Sequence, residues 1–281
     1  MIDRPWSEAS ERASSSSSGP AATLRTERYC RFIPVAAIAL VAGFAGWVAT
    51  ASLQQDFAAY WVAGAARRVG LDPYVNQVGG AAAPDLWDGV AVFAHSRFLY
   101  APVVAEVFRG FALLPYPIAK AVFTALMVGA WIAASLTLAR ASAKPRAAAL
   151  AFGAGALFYP LYLALERGQI EPLVLLLLTA AFRMRARPAA AGAALAAAVA
   201  FKPALCGVVL VVAALGRWRV VGAALAGLAV IALAGVALSG PALTVEYVTR
   251  VLPRAALYGE GGDEAMLLPA ARLASRADEL E

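Results

Sequence analysis

Long hydrophobic stretches separated by short basic clusters dominate the pattern of this chain. The first runs from Phe32 to Leu53, and about 20 apolar residues are enough for one helical crossing of a bilayer. Later stretches run from Ile118 to Leu138, Ala147 to Leu165, Ile170 to Phe182 and Trp218 to Leu238. Between Arg187 and Arg217 the apolar run breaks at Phe201-Lys202-Pro203. That break predicts a helix rising to Lys202 and a shorter one returning from Ala204. Arg25, Arg28 and Arg31 precede the first stretch; Arg140/Lys144/Arg146, Arg183/Arg185/Arg187 and Arg217/Arg219 fall between later ones. If all these clusters are cytoplasmic, an even number of crossings separates each from the next.

Phe98 to Leu114 does not fit that parity as a crossing. It contains Glu106 and Arg109 and is bounded by Pro102 and Pro115, so it is expected as an amphipathic or re-entrant segment near the outer surface. The reading predicts an all-α, polytopic transmembrane bundle of about seven crossings. Three regions then face outward: a large first loop from about Gln54 to Tyr116, the turn Glu166-Arg167-Gly168-Gln169, and the segment after Ser239. Lys202-Pro203 points the same way. Residues 1–26, with a serine run from Ser14 to Ser18, are expected as a disordered cytoplasmic tail. Residues 27–262 form the membrane domain, and 263–281 a polar C-terminal tail.

Composition agrees with a membrane class. Of 281 residues, 62% are hydrophobic and 15% charged, and mean hydropathy is +0.70, whereas a soluble domain carries roughly 25% charge. The net charge of +6 resides in the interhelical clusters, so no nucleic-acid partner is expected. Cys30 and Cys206 form no CxxC motif, and His95 is the single histidine. No metal site, nucleotide loop or cofactor motif is apparent.

Candidate chemistry concentrates in the first loop. Asp56 follows the first hydrophobic run directly, in Gln54-Gln55-Asp56-Phe57-Ala58-Ala59-Tyr60-Trp61-Val62-Ala63-Gly64. A carboxylate there can take a proton from a hydroxyl presented at the lipid–water boundary; the alternative is a charge marking a helix end. Phe57, Tyr60, Trp61, Gly64 and Ala65 recur at helical spacing, which predicts a helix lying on the membrane surface. Asp72-Pro73-Tyr74 reads as a turn. Lys202, isolated in an apolar run, is a functional candidate by its cost there, with snorkelling as the competing explanation.

Taken together, D-x-x-x-Y-W-x-A-G after the first helix, G-x-D-P-Y at Gly70 to Tyr74, F-x-Y-x-P at Phe98 to Pro102 and the Gly168-Gln169 turn resemble a known family. It is glycosyltransferase family 87, the polyprenol-phosphate-mannose-dependent α-1,2-mannosyltransferases of the GT-C fold class, and the resemblance runs from about Ala37 to Leu252. It implies an integral membrane enzyme that moves a hexose, usually mannose, from a polyprenyl phosphate to an acceptor hydroxyl, with inversion, on the non-cytoplasmic face of the cell membrane. The partners implied are the polyprenyl-phosphate sugar, a glycolipid or glycan acceptor and membrane lipids. By similarity Asp56 is the general base. Lys202, Arg167 and Gln169 are candidates for the phosphate and sugar, with Arg97 and His95 weaker ones, and Tyr60, Trp61, Asp72, Tyr74 and Tyr100 line the substrate site. The chain departs from the family pattern at Ala101, where relatives have a proline, and at Glu171, where they often have asparagine. Relatives also continue through further helices, which implies a C-terminally shortened chain. The readings set against an enzyme are a noncatalytic scaffold or lipid-handling subunit, and a transporter, for which the sequence offers neither repeats nor a path of intramembrane charges.

Overall fold

A computed structural model of the protein describes residues 20–52, 54–75, 97–140 and 144–257. Every regular element among the described residues is helical. Both polar tails are largely outside the described residues, as is His95. Helix α1 (Pro20–Ala51) begins inside the segment expected as tail. After it come α2 (Gln55–Arg68), α3 (Pro102–Phe111), α4 (Tyr116–Ala139), α5 (Pro145–Ala156) and α6 (Tyr159–Arg167). The chain continues through α7 (Glu171–Arg183), α8 (Pro188–Phe201), α9 (Cys206–Ala214), α10 (Trp218–Ser239) and α11 (Pro241–Glu246), then a π-helical turn and α12 (Leu252–Leu257).

Prolines write many of the starts. Pro102, Pro145, Pro188 and Pro241 begin their helices, and Pro117, Pro160 and Pro172 sit one residue further in. The first-turn N–H they lack has no intrahelical partner in any case.

Among the described residues, three stretches are long and apolar enough to cross a membrane: Phe32–Ala51, Tyr116–Ala139 and Trp218–Ser239. Helices α5 and α6 together make a fourth, bent by 46° at their junction. The protein is therefore an all-α membrane bundle. The other passes of the seven expected are shorter, with 13, 14 and 9 residues in α7, α8 and α9. At about 1.5 Å per residue none of these equals the hydrocarbon thickness of a bilayer.

The direction of each pass follows from its contacts. Ile33 packs on Gly153 while Ser52 bonds the Glu166 carbonyl, so α1 runs parallel to α5–α6. Ala224 packs on Gly192 and Ala196 on Gly227, so α8 and α10 also run parallel. Helix α9, which joins the end of α8 to the start of α10 in the chain, therefore runs back in the opposite direction, as the Lys202-Pro203 break predicts. The basic clusters around α4–α5, α7–α8 and α9–α10 thus share one end. The opposite end gathers the close of α1, α6, α8 and α10 with the starts of α4 and α7.

That second end holds the α2–α3 layer, and here the structure corrects the sequence reading. Helix α2 is not on the surface: its residues from Phe57 to Ala66 are all buried. Alanine and glycine occur on every side of it, so neighbours close around it, and the Phe108 carbonyl lies against Gly64 where a Cβ would clash. Phe57 stacks on Phe123 at 4.6 Å, and burying such a side chain contributes roughly 1.5–3 kcal/mol. Helix α3, with 10 residues, is amphipathic and too short to cross. It packs on both α2 and α10.

A buried carboxylate clasps these three helices. Glu106 accepts from Arg67 at 2.8 Å and Ser239 at 3.0 Å through Oε1, and from Arg109 at 3.4 Å through Oε2. Glu106→Ala leaves the Arg67 guanidinium, only 14% exposed, without its carboxylate. Breaking a buried pair in this way costs about 3–5 kcal/mol. A markedly lower midpoint of thermal unfolding in micelles is expected; an unchanged midpoint would show that the clasp does not hold the end of α10.

Candidate functional site

Asp56 lies in the first turn of α2, where the helix dipole favours a carboxylate. The residue that anchors the start of this helix is Gln54, which the sequence reading did not single out. Its backbone adopts the left-handed region at φ 53, and its side chain is buried. Gln54 Nε2 donates to the Leu165 carbonyl and to Thr124, each at 2.9 Å. Lys120 Nζ donates to the Ser52 carbonyl at 2.7 Å. These bonds fasten the α1–α2 junction to α4 and to the end of α6.

The α6–α7 turn meets that junction. Gly168 closes α6 in the left-handed region at φ 71. A Cβ there would fall 2.6 Å from Phe57 Cβ and 2.8 Å from Gln54 Cβ. The next residue, Gln169, donates from Nε2 to Asp56 Oδ2 at 2.8 Å. Glu171 opens α7, and its Oε1 accepts from Lys202 Nζ at 2.6 Å. Lys202 is the residue that caps the C-terminal end of α8. Anion and cation therefore each sit at the helix end whose dipole favours them. Glu171 Oε2 is buried and has no hydrogen-bond partner among the described residues.

Two tyrosines complete the set. Tyr60 and Tyr100 share a hydrogen bond at 2.7 Å. Burial is the main cause that drives the Tyr60 hydroxyl well above its ordinary pKa, with Tyr100, Asp56 and Glu171 adding to it. Burial also pushes Tyr100 up to about 12, against the opposing effect of its bond with Tyr60, and Glu171 and Asp56 push the same way. Both carboxylates therefore act on both phenols, and both phenols are neutral at physiological pH.

Not every residue suggested by the sequence joins this set. Tyr74 borders it, donating to the Tyr100 carbonyl at 2.9 Å and stacking on Tyr247. Asp72 acts behind Tyr74, with Oδ1 accepting from the Tyr74 N–H at 2.8 Å. Trp61 turns away into the core, bonding the Leu114 carbonyl at 3.2 Å. Arg167 is exposed at the end of α6, and Arg97 is exposed where the described chain resumes. Glu171 was visible in the sequence only as a departure from a pattern. Its pairing with Lys202, 31 residues away, depends on α7 and α8 meeting at one end.

Two cavities flank the α6–α7 turn. One, of about 700 Å³, runs between α4, α5, α6 and α7 from Leu138 and Ala147 near the basic end up to Gln169 and Glu171. Its walls are almost wholly apolar side chains such as Trp131, Phe152 and Leu175, with Ser135 toward the basic end and both Gln169 and Glu171 at the other. The other, of about 390 Å³, is lined by Phe108, Phe123, Ile170 and Phe201.

The class is thus an all-α membrane protein with a polar, carboxylate-bearing site at one end of the bundle and a long apolar cavity leading to it. The profile of glycosyltransferase family 87 matches residues 98–277, and the chain belongs to that family. It is accordingly a membrane glycosyltransferase. No curated protein and no solved structure matches the chain. The match starts and ends later than the resemblance read from the sequence. Tyr100, Gln169, Glu171 and Lys202 lie inside it; Asp56 and Tyr60 precede it and are bonded to Gln169 and Tyr100.

Proposed function

We propose that the protein transfers a hexose, mannose by resemblance, from a polyprenyl phosphate to a hydroxyl of a glycolipid or glycan acceptor, with inversion. The observation that carries this reading is the apolar cavity ending at Gln169 and Glu171, one bond from Asp56 and from Lys202. A donor with an apolar chain and an anionic head has this polarity: its chain lies between α4 and α7 and its phosphate reaches the polar end. By the positive-inside rule, the basic end is cytoplasmic. The site then faces the other side of the cell membrane, and residues 27–262 make up the transferase domain.

In this reading the acceptor oxygen attacks the anomeric carbon from the face opposite the phosphate. Its proton passes to Asp56, and the carbon–oxygen bond to phosphate breaks with its electron pair going to the phosphate. Lys202 offsets the charge developing there. Tyr100, held neutral and only part-buried, offers its hydroxyl toward the sugar, with the buried Tyr60 bonded behind it. Gln169 fixes the orientation of the base.

Gln169→Ala is expected to lower turnover about tenfold with little change in donor KM, because hydrogen bonds to charged groups contribute about 1.5–3 kcal/mol. A change confined to KM would place Gln169 in binding instead. The donor class has its own test. A photoreactive prenyl phosphate is expected to label cavity residues such as Phe158 and Leu175, and polyprenyl phosphate, but no nucleotide sugar, is expected to compete. Labelling outside the cavity, or displacement by the nucleotide sugar, would contradict the reading.

A further inference from the structure

Lys202 already meets an anion, and that anion belongs to the chain. The contrast with the clasp at Glu106 is informative. There both carboxylate oxygens are engaged, Oε1 by Arg67 and Ser239 and Oε2 by Arg109. Glu171 engages Lys202 through Oε1 only, and its buried Oε2 has no hydrogen-bond partner among the described residues. An unpaired buried acceptor is costly, and a charged one more so. The Glu171–Lys202 pair is therefore an incomplete structural bridge, held between two side chains that are 36% and 44% exposed. It has room to open.

The position of the pair gives that opening a consequence. Glu171 and Gln169 form the polar end of the cavity between α4 and α7. An amphiphile whose chain fills the cavity delivers its anionic head to Glu171 and, beside it, Lys202. Two anions then compete for one ammonium, and their mutual repulsion grows with the charge on the head. A sugar-bearing phosphodiester carries one negative charge. The monoester left after transfer carries about 1.5–2 at neutral pH, as phosphate monoesters do.

We propose that Glu171 is a specificity-determining residue: its carboxylate competes with the lipid phosphate for Lys202 and so weakens the hold of the site on the spent, doubly charged carrier. The proposal rests on the reading of Lys202 as the phosphate partner. Glu171 lets the singly charged donor displace it from the ammonium and favours departure of the product once the second charge develops. No bond to carbon or phosphorus changes in this exchange; one ion pair replaces another.

The test uses the purified chain in nanodiscs, with farnesyl phosphate as the spent-carrier probe and farnesol as its uncharged control. Glu171→Gln is expected to bind farnesyl phosphate about tenfold more tightly than wild type, with farnesol affinity unchanged. Such a change corresponds to about 1.4 kcal/mol. Glu171→Ala is expected to do the same, which keeps the test decisive should the glutamine variant misassemble. Unchanged or weaker binding of farnesyl phosphate by both variants would overturn the proposal, since Glu171 would then be positioning Lys202 rather than competing for it. Lys202→Met separates the underlying reading. Its affinity for farnesyl phosphate is expected to fall toward that for farnesol; no fall would remove Lys202 as phosphate partner, and the proposal with it.

Discussion

Asp56→Asn is expected to lower sugar transfer from a polyprenyl phosphate by about 10²–10⁴-fold, the usual contribution of a positioned general base. The substitution is well suited to the question. Asparagine has nearly the same shape, and its carbonyl oxygen can still accept from Gln169 Nε2 as Asp56 Oδ2 does at 2.8 Å. The junction held by Gln54, Thr124 and the Leu165 carbonyl does not involve the Asp56 side chain. What is lost is the ability to take a proton from the acceptor hydroxyl. Turnover should therefore collapse while the unfolding midpoint and affinity for the lipid donor stay near wild type. Turnover within twofold of wild type, at matched insertion, would remove Asp56 as base and direct attention to Glu171, the other carboxylate acting on Tyr60 and Tyr100.

Gly168→Ala is expected to destabilise the protein by about 2–4 kcal/mol, since a side chain at positive φ and overpacking of a filled site each add a cost. At φ 71 the backbone disfavours alanine. The added Cβ would also have to fit 2.6 Å from Phe57 Cβ and 2.8 Å from Gln54 Cβ. Neither neighbour yields easily. Phe57 is fully buried among Phe108, Phe111, Tyr116 and Phe123, and Gln54 is held by two hydrogen bonds. The movable element is the α6–α7 turn, which carries Gln169 away from Asp56. Loss of transfer should therefore accompany a lower unfolding midpoint. Wild-type activity and stability in this variant would mean that the turn and the base are not mechanically linked.

The bundle was legible because its signals are local. Apolar run length, the basic clusters and the Lys202-Pro203 break each report on a few neighbouring residues, and together they set the order and direction of the passes. The placement of α2 was not legible. Its helical spacing is plain, but with Ala58, Ala59, Ala63, Gly64, Ala65 and Ala66 between the aromatics, burial on every side and rest on a surface give the same pattern. The candidate site shows the same division. Asp56, Gln169 and Lys202 stand out by residue type and position, and the structure brings them to one end. Trp61 stands out equally, yet its indole bonds the Leu114 carbonyl in the core. Glu171 and Gln54 take their importance from contacts across 31 and 111 residues, which no short motif encodes.

We propose that the donor is a lipid-linked sugar whose chain lies in the cavity along α4 and α7, with its phosphate at Lys202 and the reacting sugar beside Asp56. The most direct measurement is transfer by the purified chain in proteoliposomes containing an extracted lipid acceptor. One set receives labelled polyprenyl-phosphate mannose, the other a labelled nucleotide sugar. Label is expected to reach the acceptor only from the polyprenyl phosphate. Label arriving from the nucleotide sugar, with none from the lipid-linked donor, would contradict the account.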